Sequence, residues 1–156
     1  MKRIRAVAIL IRGDEVLLMH RKNEHQEFHC FPGGGVEEGE KVEEAVVREL
    51  LEETTIDIKI NKLLYHHIHD NDTEQFFYLC DYIKGEPKLA EDSEEKAEMI
   101  NGKEFFNPYW EKIENIKDML LYPLEIRDLL LEDYKNNFTE PTKEFVIKIS
   151  DLRQSL

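Results

Sequence analysis

Apolar positions follow two periodicities along this chain, and together they divide it into strands and helices. Ile4–Ile11 (IRAVAILI) is a nearly continuous apolar run, which predicts a strand buried on both faces. Gly13-Asp14 is a turn signal and Glu15–His20 (EVLLMH) resumes the strand pattern, so a hairpin is expected. Asn23–Cys30 reads as a polar loop. Phe31-Pro32-Gly33-Gly34-Gly35 follows, a stretch whose glycines let main chain approach a ligand closely. Lys41–Thr54 (KVEEAVVRELLEET) lacks Gly and Pro and is rich in Glu, Leu, Ala and Arg, which predicts a helix. Ile56–His69 and Gln75–Ile83 return to β-branched and aromatic runs, the second ended by Gly85-Glu86-Pro87. Glu91–Glu98 reads as a solvated acidic loop and Glu104–Trp110 as a short strand. Pro123 opens a helix, PLEIRDLLLEDYKN. Glu144–Ile149 adds either a last strand or a tail that docks on a second copy in a homodimer. The sum is an α/β fold with a mixed sheet flanked by at least two helices.

The helix at Lys41–Thr54 breaks its own pattern. At about 100° per residue, Val42 and Val46 mark the middle of the apolar stripe, with Ala45 and Leu50 at its sides. Glu49 and Glu53 fall inside the same stripe, roughly 20° to either side of Val42, and Glu52 lies at its edge. An ordinary amphipathic helix carries Leu or Ile there. Two inward carboxylates at this spacing repel one another, and desolvating each unpaired charge costs several kcal/mol. Protonation, an Arg or Lys from elsewhere, or a divalent cation would each offset that cost. Hard cations prefer such clustered oxygen donors. Glu43, Glu44 and Lys41 fit a solvated helix face instead.

Composition narrows the functional classes. A chain of 156 residues fits one domain, 1–156, with 136–156 as a C-terminal extension. The net charge of −13 repels phosphate backbones and anionic lipid, so neither nucleic acid nor membrane is an expected partner. It also repels a free nucleotide, so a phosphate ligand must be met by local cations or a metal. Cys30 and Cys80 form no framework and no Cys-x-x-Cys pair, and both read as small buried hydrophobes. No run resembles a cleaved leader or a membrane span, which sets a cytoplasmic expectation.

Spacing adds a sharper signal. Gly34 is followed by Glu40, then Arg48-Glu49-Leu50, then Glu52-Glu53 and Ile56. This pattern strongly resembles the signature box of the Nudix hydrolase family, and it departs from it at one fixed position, where Thr55 stands for glycine. The resemblance runs from about Arg3 to Leu131 and implies a Nudix-type α/β/α sandwich with the box as loop–helix–loop. It further implies Mg²⁺, with Mn²⁺ as a substitute, held by Glu49, Glu53, Glu52 and the carbonyl of Gly33. Glu52 and Glu53 then serve catalysis, Arg48 orients the glutamates, and Glu40 supports them. The implied activity is hydrolysis of the pyrophosphate linkage in a nucleoside diphosphate joined to another group. Two alternatives stand beside it: release of inorganic pyrophosphate from a nucleoside triphosphate, and nucleotide binding without turnover. Asn71-Asp72-Thr73 lacks the proline associated with ADP-ribose hydrolases and the tyrosine associated with dinucleoside polyphosphate hydrolases. Glycine at position 55 would suit a left-handed helix end, so Thr55 implies a differently shaped one.

Arg21, Gly34 and Phe31 are candidate substrate contacts. Phe28, Phe31, Phe76 and Tyr78 are candidates for stacking a base. Glu91, Glu94, Glu95 and Glu98 offer one distal carboxylate of the kind some Nudix proteins use. His66, His67 and His69 raise a zinc site that lacks a third ligand. Asn107-Pro108-Tyr109-Trp110 places large aromatics at a pocket rim or a subunit interface.

Overall fold

A computed structural model describes residues 2–69, 72–100 and 102–147. The expected hairpin forms from β1 (Arg3–Arg12) and β2 (Glu15–Lys22). Ala6 to Leu10 are at most 4% exposed, as a run buried on both faces requires. β1 and β2 pair only at Ile11↔Val16 and Arg12↔Glu15, and then they diverge. The chain re-enters that opening as β3 (Glu27–Cys30), antiparallel to β2, and β4 (Gly33–Gly35), antiparallel to β1. After α1 (Val42–Thr54) come β5 (Asp57–His69) and β6 (Thr73–Lys84), an antiparallel pair whose second strand lies parallel to β1. α2 (Glu94–Ile100), β7 (Phe105–Lys112), a 3₁₀ turn (Ile113–Asp118), β8 (Leu121–Tyr122), α3 (Leu124–Lys135) and β9 (Lys143–Ile147) complete the order. The mixed sheet runs β8-β3-β2-β1-β6-β5-β9, with β4 added on β1 and β7 on β2.

Helices cover both faces, which gives the expected three layers. α1 sends Ala45, Val46 and Leu50 against Ala6, Ala8, Leu10 and Leu17. α3 and the 3₁₀ turn send Ile126, Leu130, Ile113 and Ile116 against Val7, Ile9, Leu18 and Phe77 on the other face.

Two expected loops are regular structure. Of Asn23–Cys30, Glu27–Cys30 is β3: its polar look comes from His29 and Glu27, which face outward, His29 stacked 4.7 Å from His20. Of Glu91–Glu98, Glu94 onward is α2. Ser93 caps it, its Oγ accepting from Lys96 N at 3.0 Å, and Glu94 and Glu95 occupy the first turn, where the helix dipole favours acids. Met99 packs the helix against Met19, Leu89 and Phe106.

Thr55 does not reshape the helix end. It keeps the left-handed conformation (φ 61°), its N–H donating to Leu51 O at 3.1 Å. The strain is partly offset by a hydrogen bond from Thr55 Oγ1 to Glu86 O at 2.8 Å.

The terminal segment forms a strand: β9 lies parallel to β5, from Tyr65↔Lys143 to His69↔Ile147. It is tied down by buried Asp133, which accepts from Tyr65 Oη at 2.6 Å and from Lys143 Nζ at 2.8 Å. Lys148, Ile149 and the rest of the extension to 156 lie outside the described residues, as does Asn71 of the 71–73 stretch.

Candidate active site

The opening between β1 and β2 is where the box meets the sheet. β4 places Gly33 and Gly34 beneath α1, where a side chain on Gly33 would strike backbone and one on Gly34 would displace the Glu49 carboxylate. A Cβ on Gly33 would come within 2.4 Å of Ala6 O, and one on Gly34 within 2.3 Å of the Glu49 carboxyl carbon. Gly34 is thus a cradle for the Glu49 carboxylate.

One guanidinium fixes the box. Arg48 donates through Nε and a terminal nitrogen to both oxygens of Glu40, at 2.8 and 2.9 Å. The same side chain reaches Glu49 Oε1 at 2.9 Å, Glu52 Oε2 at 3.2 Å and the Gly35 carbonyl at 3.0 Å. Glu40 in turn accepts from Glu37 N at 3.0 Å. The loop and the helix are therefore joined by charge-assisted, partly bidentate bonds. Arg48 holds the Glu40 carboxyl below the usual carboxylate range.

Glu53 is 7% exposed, and its carboxylate accepts one long bond, from Gly33 N at 3.4 Å. Burial pushes its pKa well above the usual range, and the charges of Glu95 and Glu49 push it further; the Gly33 N–H and Arg5 oppose this. Burial also raises Glu49, against the pull of Arg48. Glu52 is exposed at the outer rim. It lines a neighbouring cavity of about 340 Å³ with Glu37, Arg48, Asp92 and Glu94.

The main cavity, about 250 Å³, has two walls of opposite charge. Glu49 and Glu53 of α1 and Glu94, Glu95 and Glu98 of α2 form one. Arg3 and Arg5 of β1 and Arg21 of β2 form the other. Among the described residues, the Nε atoms of Arg5 and Arg21 are buried without a hydrogen-bond partner. Arg21 is held between aromatic faces, 5.4 Å from the Phe28 ring centre and 4.7 Å from that of Phe106. Gly33, Gly34, Phe31 and Cys30 also line it. Burial pushes the Cys30 thiol up to about 11, so it stays neutral.

The candidates therefore separate. Arg21, Gly33, Gly34, Phe31, Glu49 and Glu53 converge on one cavity, with Glu52 and Arg48 on its outer side. Of the four acidic residues, Glu94, Glu95 and Glu98 line the main cavity and Glu91 does not; Glu95 acts most directly on Glu53. Phe76 and Tyr78 face away from it: Phe76 stacks on His66 at 4.2 Å, and Tyr78 Oη donates to Glu43 at 2.8 Å. Tyr109 bonds His29, and Trp110 lies under Arg12, 4.0 Å from its ring centre, so neither forms the rim. The zinc reading fails. His66 lies between Glu74 (3.3 Å) and Glu144 (3.1 Å), while buried His67 packs edge-on to His69. Burial lowers the His67 pKa to about 4. Among the described residues, no three His, Cys, Asp or Glu side chains are arranged to hold a metal ion. At the box, Glu49 and Glu52 each accept a hydrogen bond from Arg48.

Arg3 and Arg5 are cavity-lining residues that the sequence did not single out. The signal was present: a cation at position 5 within a run expected to be buried on both faces is as anomalous as Glu49 in an apolar stripe.

No helix among the described residues is long and apolar enough to cross a membrane. Solved structures share the fold. A NUDIX hydrolase from Nitrosomonas europaea matches with a TM-score of 0.70 at 15% identity, over 94% of this chain and 79% of that one. An ADP-ribose pyrophosphatase from Streptococcus suis 89-1591 matches with a TM-score of 0.65 at 19% identity, over 93% of this chain and 100% of that one. The ADP-ribose pyrophosphatase of Methanocaldococcus jannaschii is 40% identical over 94 residues, 56% of this chain. The putative nudix hydrolase 1 of Caenorhabditis elegans is 33% identical over 97 residues, 59% of this chain. The matched part spans 55% of the first relative and 27% of the second. The family model for the NUDIX domain matches residues 1–120; with the box geometry, this places the chain in the NUDIX family.

Proposed function

We propose that this protein hydrolyses the pyrophosphate linkage of a nucleoside diphosphate joined to another group, with Mg²⁺ as cofactor and Mn²⁺ as a substitute. The observation that carries the reading is the cavity with carboxylates on one wall and partnerless guanidinium nitrogens on the other. A divalent cation would answer the carboxylate wall, and a pyrophosphate would answer the guanidinium wall.

The chemistry of the donors suits such a cation: hard carboxylate oxygens, one carboxylate cradled on Gly34, and a buried Glu53 with one long hydrogen bond. Glu49, Glu53 and Glu52, with the Gly33 carbonyl, would hold it. When bound, the cation supplies charge neutralisation of the pyrophosphate and Lewis-acid activation of the attacking water. The chain's own residues do the rest. Arg5 and Arg21 bind the phosphate oxygens and hold the linkage in line for attack. Arg48 sets the rotamers of Glu49 and Glu52. Glu52, on the outer side of the site, takes the proton of the attacking water, and Glu95 is the distal carboxylate that completes the acidic wall.

The name of the Methanocaldococcus relative makes ADP-ribose the first substrate to test. Nucleotide sugars, dinucleotides, ADP-ribose and nucleoside triphosphates are incubated with Mg²⁺ or Mn²⁺, and products are separated. Nucleoside monophosphate from a diphosphate linkage is the expected outcome, abolished in Glu53→Gln. Inorganic pyrophosphate from triphosphates alone would reverse the assignment. Absence of any turnover would make the protein a binding module.

A further inference from the structure

We infer that the stacked imidazoles of His20 and His29 form a proton-operated latch on β3: the pair accommodates one proton, and a second parts β3 from β2 and loosens Arg21 on the cavity side. The latch stands on its own geometry. Its effect on the site rests on the phosphate-binding role proposed for Arg21.

β2 and β3 pair in the register Met19↔Cys30, His20↔His29, Arg21↔Phe28 and Lys22↔Glu27. Alternation along the strands sends successive pairs to opposite faces. Met19, Arg21 and Cys30 line the main cavity, and the Arg21 guanidinium lies over the Phe28 ring. His20 and His29 therefore sit on the back of the strands whose front carries Arg21. Their rings stack with centres 4.7 Å apart and planes at 14°. β3 is four residues long, paired on its far side with Leu121 and Tyr122 of β8. A strand so short has few ladder bonds, so its seat on β2 is sensitive to what happens between the two rings.

Each ring has a partner of its own. His20 Nε2 donates to Glu27 Oε1 at 2.7 Å, and His29 Nδ1 lies 2.9 Å from the Tyr109 hydroxyl. That hydroxyl is in turn 3.3 Å from Glu111 Oε2, and Phe105 meets His20 edge-on at 5.4 Å. The bond from His20 holds the Glu27 carboxyl below the usual carboxylate range, with Lys22 acting in the same direction. Glu27 is thus a charged acceptor for one proton on the pair. A second proton puts two cations face to face at ring-stacking distance, where like charges repel. Burial and the charge of His20 both lower the His29 pKa, against the pulls of Glu111 and Glu27. The closed hairpin therefore binds fewer protons than the opened one. It is fully favoured above the ordinary histidine value of about 6.5 and loses stability as pH falls through the lowered one.

Parting of β3 takes the Phe28 ring away from Arg21 and leaves the guanidinium on Phe106. β3 also leads through Phe31-Pro32 into β4, so its release reaches the backbone that carries Gly33 and Gly34. Acid would act on the cation wall from behind, through strand pairing.

The test follows amide exchange of Phe28 to Cys30 at pH 7.5 and pH 5.0, corrected for the intrinsic pH dependence of exchange, with imidazole NMR reading the ring charges. Protection of β3 in the wild type should fall about tenfold between the two pH values, the scale of one close pair of like charges near a surface. His20→Gln and His29→Gln each keep a hydrogen-bonding group and forbid the second charge, so each should hold protection within about twofold. In His20→Gln the His29 titration should also move up toward its ordinary value. A merely structural role would lower protection equally at both pH values. Circular dichroism checks each fold, and His29→Asn replaces His29→Gln if the latter unfolds. A drop in β3 protection that persists in both variants, no drop in the wild type, or a His29 titration unmoved by His20→Gln overturns the latch. Inorganic pyrophosphate with Mg²⁺, at about ten times its measured Kd at pH 5.0, should restore about tenfold protection, because it binds the closed form. Pyrophosphate that binds without restoring protection overturns the coupling to Arg21. Failure of pyrophosphate to bind at either pH would sink the phosphate reading and the coupling together, while the exchange and titration results still decide the latch.

Discussion

Replacing Glu53 by Gln should stabilise the metal-free protein while removing its activity. Glu53 is 7% exposed, accepts one bond at 3.4 Å, and faces the charges of Glu95 and Glu49. Desolvating such a carboxylate costs several kcal/mol, of which Arg5 and the Gly33 N–H return part, leaving a net penalty of about 2 kcal/mol. Its folded pKa is raised above the unfolded value of about 4.3, so the folded state binds more protons than the unfolded one. Stability therefore falls as pH rises above that unfolded value, and the loss is complete above the folded pKa. Glutamine keeps the shape, can still accept from Gly33, and carries no charge at any pH. The advantage of Glu53→Gln should be near zero at pH 4 and should grow as pH rises to 8. At about 2–4 °C per kcal/mol for a chain of this size, it amounts to roughly 4–8 °C in Tm. Thermal melts of both proteins in EDTA at the two pH values measure it. Added Mg²⁺ should then raise the wild-type Tm only, since binding to the folded state alone stabilises it. A variant that melts at or below the wild type at pH 8 in EDTA would refute the argument that this carboxylate is held against its own solvation.

Two further substitutions separate geometry from chemistry. Gly34→Ala places a Cβ against the Glu49 carboxylate, so it should cut kcat by at least about tenfold through displacement of that group. Steady-state kinetics checks this, and a kcat within twofold of wild type would mean Glu49 is free to move aside. Thr55→Gly relieves the strain at φ 61° but loses the bond to Glu86 O. It should change urea stability by less than about 1 kcal/mol and leave kcat within twofold. Greatly increased turnover would contradict a purely structural role for position 55.

The part of the site that lies within one helical period was legible in the sequence. Glu49 and Glu53 contradict the apolar stripe at fixed angles, and that contradiction needs no tertiary information. On the opposite wall Arg21 was picked out as a substrate contact, but its convergence with Arg5 was not, because the two reach one cavity only once β1 and β2 diverge and β3 and β4 fill the gap. No local pattern encodes that divergence. β3 was hidden because Glu27 and His29 face outward, and four residues are too few to show an alternation. α2 was hidden because its seven residues are mostly charged, and the apolar anchor at Met99 becomes visible only against Met19 and Phe106. Phe76 and Tyr78 were attractive as stacking residues only until the sheet face was known. A shift of one position along β6 separates them from Gln75 and Phe77, which do line a cavity beside Arg5 and Arg21.

The pairing of β1 with β6 also governs the order in which the molecule can come apart. Arg3 to Ile11 lie beside Thr73 to Asp81, so strands about seventy residues apart in sequence form the spine on which Gly33 and Gly34 are mounted. β9, by contrast, hangs on one edge and, among the described residues, has a single strand neighbour. Loss of β9 is a local opening that leaves the spine in place, whereas separation of β1 from β6 dismantles the cavity beside the box. Amide protons of Ala6 to Leu10 should therefore exchange only through global unfolding. Those of Phe145 and Val146 should exchange long before, while the cavity remains assembled.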